Sequence, residues 1–107
     1  MSRDGLTPMT KIEVVVNGDD VAPVGEVLTT CGATGYTVLS GVSGLGHHGF
    51  HQGRLHFNDR DALRMVLTVV PDERSDAVIG ALRAFLEDRP GVLFVSDTYV
   101  SRQEYFA

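Results

Sequence analysis

Residues Leu63 to Val70 read LRMVLTVV and are apolar on both sides of a two-residue period, interrupted only by Arg64 and Thr68. A segment of this kind cannot leave one face in water, so it is expected to form a strand covered from both sides. In a chain of 107 residues that is a severe constraint. A domain of this size buries only roughly two-thirds of the surface its unfolded chain exposes, and self-association is the natural cover for a face it cannot bury alone.

The rest of the chain alternates between periods of two and 3.6. KIEVVVN, Lys11 to Asn17, places Ile12, Val14 and Val16 on one face of a strand. Gly18, Asp19 and Asp20 make a turn and a helix N-cap, and Pro23 is tolerated in the first turn. Val21, Val24, Val27, Leu28 and Cys31 then fall at helical spacing, and Gly32 closes the helix. Tyr36 to Val42 reads as a second strand. After LRMVLTVV, Pro71 ends the strand and Asp72 is expected to cap a helix running to about Asp88, with Val78, Ile79, Leu82, Phe85 and Leu86 as its buried stripe. A last strand, Val92 to Val95, leads into a tail holding Tyr99, Arg102, Tyr105 and Phe106, which can pair as an edge strand or wrap a neighbour. The order βαββαβ predicts a ferredoxin-like α+β fold, an antiparallel sheet with both helices on one face. Residues 1–10 are expected to be a flexible terminus and 11–107 a single domain.

Fourteen acidic and nine basic residues give a formal charge of −5, which argues against a nucleic-acid or anionic-membrane surface. No apolar run approaches a membrane span and MSRDGLTPMT lacks the apolar core of a signal peptide, so a cytoplasmic location is expected. One cysteine, Cys31, excludes an internal disulfide, and its helical spacing reads as a buried structural thiol.

Between the second strand and LRMVLTVV lies GVSGLGHHGFHQGRLH, Gly41 to His56, which carries all four histidines. Glycines let backbone N–H groups converge on an anion, and histidine titrates near neutrality. From Ile12 through Gly53 there is no lysine or arginine. An anion in this loop would be held by backbone N–H groups, by histidines, or by arginines that fold in from outside.

GATGYTV, Gly32 to Val38, resembles the helix-to-strand junction of PII signal-transduction proteins, which typically read GIRGMTV there. GVSGLGHHG is similar to the base of the PII T-loop, and EDRPGVLFV stands where those proteins carry their B-loop. The resemblance spans about Met9 to Phe106 and identifies a PII-like protein, closer to the carboxysome-linked, inorganic-carbon group than to the nitrogen regulators. It implies a homotrimer with adenine nucleotide in each inter-subunit cleft and a T-loop at about 43–56 that controls a target protein. By position, Gly35, Tyr36 and Thr37 would line the adenine pocket, and Gly44, Leu45 and Gly46 would approach the phosphates. Gly91, Val92, Leu93 and Phe94 would form the B-loop edge, and Arg102 would reach a phosphate across the subunit boundary. A second small anion, bicarbonate, would be held near Gly46, His47, His48, Arg54 and Arg60.

Departures from the family pattern set further expectations. The B-loop GDGK is replaced by DRPGV, with one glycine and no lysine, and the loop base has histidines where basic residues are usual. Less positive charge weakens the grip on a triphosphate most, so ADP or AMP should be favoured over ATP. No loop tyrosine is present for uridylylation.

Two other readings stand beside this one. His47, His48 and His51 form a cluster of imidazoles that suits zinc, copper or nickel, which would make the chain a metal-binding, divalent-cation tolerance type of protein. An enzyme is disfavoured, because the chain has no GxSxG elbow, paired carboxylates or GxxxxGK[ST] loop, and no catalytic residue or catalytic cofactor is assigned.

Overall fold

A computed structural model describes residues 3–42, 45–46, 49–50 and 62–107, the two short pieces by their backbone alone. Eight elements follow in order: β1 (Thr7–Asn17), α1 (Val21–Thr30), β2 (Thr37–Val42), β3 (Leu45–Gly46), β4 (Gly49–Phe50), β5 (Leu63–Val70), α2 (Asp72–Leu86) and β6 (Val92–Val100). Single 3₁₀ turns at Gly18–Asp20 and Gln103–Tyr105 precede α1 and follow β6. The main sheet has the order β2-β5-β1-β6, and every neighbouring pair is antiparallel. Each helix therefore connects two strands that have a third strand between them, which is the ferredoxin-like arrangement expected from the βαββαβ order. A separate ribbon pairs β3 with β4.

The pleat divides the sheet residues into two sets. Ile12, Val14 and Val16 of β1 and Val66 and Val70 of β5 share a face, and the helices close it with Val24, Leu28, Val78 and Leu82. All nine are at most 1% exposed, each worth roughly 1.5–3 kcal/mol of apolar burial. Those helix residues belong to the stripes their spacing marked, while Val27, Cys31, Ile79, Phe85 and Leu86 pack half-buried around them. Cys31 is therefore less enclosed than its spacing suggested. On the other face, Met65 and Leu67 are half-buried, and Leu39, Val92 and Phe94 are 44%, 51% and 50% exposed. Two helices cover one face only. The strand with two apolar faces is thus half-covered by its own chain.

Several element ends differ from the sequence expectation. β1 begins at Thr7, because β6 continues past Val95 to Val100 and offers partners from Thr7↔Val100 onward. Thr7 to Thr10, within the segment expected to be flexible, therefore lie in β1. Asp72 is not the cap of α2. Pro71 holds that position without a side-chain bond, and the Asp72 carboxylate accepts from Thr10 Oγ1 at 2.6 Å. Likewise α1 starts after Asp20 with no side-chain cap. α2 ends at Leu86 rather than Asp88, its carbonyls taken by the N–H groups of Glu87 and Arg89.

Candidate functional site

Among the described residues, the turn from α1 into β2 is an irregular segment tied by several hydrogen bonds. Gly32, at φ 95°, ends the helix in a Schellman motif in which Ala33 N–H bonds Leu28 O and Gly32 N–H bonds Thr29 O. Three hydrogen bonds to other elements, two of them from side chains of α2 and β5, then hold Gly32, Thr34 and Gly35. Arg74 Nη1 donates to Gly32 O at 3.2 Å, Thr34 Oγ1 donates to Tyr105 O at 2.8 Å, and Thr68 Oγ1 donates to Gly35 O at 2.6 Å. Thr68 is 2% exposed, so its hydroxyl must find a partner within the fold. Gly35, Tyr36 and Thr37 follow directly. Tyr36 lies across Gly25, where a Cβ would collide with the phenol ring, and both line a shallow groove of about 460 Å³ with Ala22, Glu26, Thr29 and Thr30. Thr37 pairs with Leu67 and so stands on the opposite, open face. Tyr36 therefore offers its main chain, not its ring, to anything bound beside Thr37.

Farther along β2 the register with β5 shifts between Leu39 and Val42, with Gly41 at φ 74°. This bulge re-aims the strand where the loop leaves the sheet, and the loop returns beside it because Val42 pairs with Leu63. Within the loop, Leu45 and Gly46 pair with Phe50 and Gly49. Gly44, His47, His48, His51, Arg54 and Arg60 lie outside the described residues, and with them the metal-binding set and all of the anion-binding set but Gly46. Among the described residues no three His, Cys, Asp or Glu side chains group as metal ligands.

At the other edge, the turn into β6 is built around Gly91. A Cβ there would meet Leu86 Cδ2 at 2.8 Å and Val15 O at 3.1 Å, so glycine is required by close approach. Arg89 is exposed but engaged, with Nε 3.7 Å from Asp20, Nη1 bonded to Phe85 O at 3.1 Å, and its guanidinium 4.2 Å above the Phe85 ring. Leu93 packs against the core, while Val92 and Phe94 project from the open face. Across the sheet, Thr37, Leu67, Glu13 and Phe94 form one row. Three strand spacings of about 4.8 Å put the two ends of that row about 14 Å apart. One chain does not bring Gly35–Thr37 and Gly91–Phe94 together.

The tail does return to the first of these sites. Arg102 Nη1 lies 3.1 Å from Tyr105 Oη, and Tyr105 O is the acceptor for Thr34. In the sequence Tyr105 is legible only as part of the tail and Thr34 only as part of GATGYTV, while Thr68 carries a signal as the one hydroxyl in LRMVLTVV.

The family profile "Nitrogen regulatory protein P-II" matches residues 9–105. CPII, a nitrogen regulatory PII-like protein from Thiomonas intermedia K12 solved with ADP, AMP and bicarbonate, is 36% identical over 94% of this chain and 95% of its own, with a TM-score of 0.86. The same protein bound to ADP and bicarbonate gives 32% identity, coverages of 95% and 97%, and a TM-score of 0.83. Bound to ADP, AMP and acetate, it gives 32%, 94% and 96%, and 0.74. No curated protein matches the chain. Among the described residues no helix is long and apolar enough to cross a membrane.

Proposed function

The chain belongs to the nitrogen regulatory protein P-II family, and we propose that it is a non-enzymatic homotrimeric sensor of adenine nucleotide and bicarbonate. The observation that carries this reading is its 36% identity to CPII, which was solved with ADP, AMP and bicarbonate, across almost the whole of both chains. In the proposed trimer the open sheet faces turn inward, which removes Leu39, Met65, Val92 and Phe94 from water. Each cleft takes the Gly35–Thr37 edge of one subunit and the Gly91–Phe94 edge of the next. The separation of these edges within one chain supports a site completed between chains. Thr37 supplies a hydroxyl to the base, Gly44, Leu45 and Gly46 admit the phosphates, and Arg102 forks onto phosphate oxygens.

The B-loop segment offers no lysine, and Arg89 is engaged by Asp20 and Phe85 O. That supports a preference for ADP or AMP over ATP, because the third phosphate meets little positive charge. Bicarbonate is assigned to the loop near Gly46, His47, His48, Arg54 and Arg60. Nucleotide and bicarbonate then shift the loop between states that a target protein of inorganic-carbon metabolism distinguishes, to the extent that they bind those states unequally.

Calorimetry with AMP, ADP, ATP and bicarbonate, combined with native mass, tests the reading. Three sites per trimer, with ADP or AMP bound more tightly than ATP, are expected. Hydrogen exchange at residues 41–56 should slow on saturation with nucleotide and bicarbonate. Unchanged exchange would refute loop ordering. Zinc or copper binding that disappears in the His47→Ala, His48→Ala, His51→Ala variant, with no nucleotide binding, would replace the nucleotide sensor by a metal-binding protein.

A further inference from the structure

Tyr105 is bonded in three ways. Its N–H donates to Arg102 O at 3.0 Å, its carbonyl accepts from Thr34 Oγ1 at 2.8 Å, and its phenol oxygen accepts from Arg102 Nη1 at 3.1 Å. The Arg102 guanidinium also lies 5.7 Å from the centre of the Tyr105 ring. Tyr105 is 61% exposed, so burial does not account for its placement. From Val100 the chain leaves one edge strand, and its return to Thr34 carries it to the entrance of the opposite edge strand. Thr34 immediately precedes Gly35, which Thr68 clamps from below.

We infer that Thr34 and Tyr105 form a clasp that positions Arg102 beside the α1–β2 turn of its own chain, to meet the phosphates of the nucleoside diphosphate whose base lies against that turn, in place of the contact across the subunit boundary that the family resemblance implies. The inference rests on the nucleotide reading above and adds two positioning residues to it. An arginine on a segment outside the sheet otherwise loses much rotamer and backbone freedom when it engages a ligand. Here the short Arg102–Tyr105 turn and the Thr34 bond have already restricted it. Guanidinium has five N–H donors, and the bond to Tyr105 takes one of them. The remaining donors stay available to phosphate oxygens, so the phenol orients Arg102 without competing for it.

The test is a thermodynamic cycle on the full chain, with ADP and adenosine as probes. Tyr105→Phe keeps the ring and removes the phenol bond; Thr34→Val keeps the shape and removes the anchor. Each should weaken ADP about fivefold, the worth of one hydrogen bond, and leave adenosine unchanged. Combined with Arg102→Ala, neither substitution should weaken ADP further. Tighter ADP binding by Tyr105→Phe, equal loss for adenosine, or effects additive with Arg102→Ala would each overturn the inference. Hydrogen exchange at residues 101–106 without ligand examines the clasp independently. Faster exchange in Thr34→Val is expected, and unchanged exchange would also overturn it. Wild-type chain that binds neither ADP nor adenosine would instead sink the nucleotide reading, while the exchange experiment would still decide whether the clasp exists.

Discussion

Single hydroxyls and glycines set the local geometry of this protein more than its charges do. Thr68 donates to Gly35 O across a sequence separation of 33, and both its burial and the 2.6 Å distance mark a bond the fold depends on. Thr68→Val leaves a carbonyl at the turn without its partner and should lower stability by about 1–3 kcal/mol. Urea unfolding should show a lower midpoint at an unchanged m-value, and Thr68→Ser should recover part of the loss. Gly91 is constrained by space. Its missing Cβ makes room for Val15 O and Leu86, so Gly91→Ala should cost about 1–3 kcal/mol in the same measurement. The oddity of Thr68 in LRMVLTVV was legible in the sequence. Its acceptor was not, because a contact between residues 33 apart depends on how α1 and β2 are laid against β5.

At the scale of elements, period and composition identify what forms, and side-chain competition decides where it stops. β5 runs from Leu63 to Val70, the bounds its apolar pattern gives, and Gly32 closes α1 as its position suggests. Asp72 shows the limit. A carboxylate at a helix start reads as a cap, but β1 places Thr10 within 2.6 Å and claims it. The bounds of β6 needed its partner too: the tail could pair as an edge strand or wrap a neighbour, and Ser96 to Val100 are strand because β1 pairs with them. The bulge at Gly41 is a third case, where φ 74° is easy for glycine and costs an alanine about 1–2 kcal/mol. Gly41→Ala should therefore release the Val42–Leu63 pairing at the root of the loop. The expected readout is faster amide exchange at Val42 and Leu63 than in wild type, with Val38 and Val66 unchanged.

For the whole molecule, the unresolved demand is the open sheet face. Phe94→Glu places a second carboxylate beside Glu13 on that face, where burial without a partner is costly. Native mass should show loss of the proposed trimer, and the variant should bind nucleotide poorly because the cleft needs two chains. A trimer that survives Phe94→Glu would exclude this face as the interface. Local patterning, which needs only neighbours in sequence, determined the βαββαβ order, the buried stripes of both helices, the two apolar faces of Leu63–Val70 and the family resemblance. Tertiary structure alone decided that Thr37 and Phe94 sit at opposite ends of one row, that Tyr36 turns its ring to α1, and that Tyr105 brings Arg102 back to Thr34. These are relations between residues far apart along the chain. Strand register and the path of the tail set them, and neither leaves a periodic trace in the sequence.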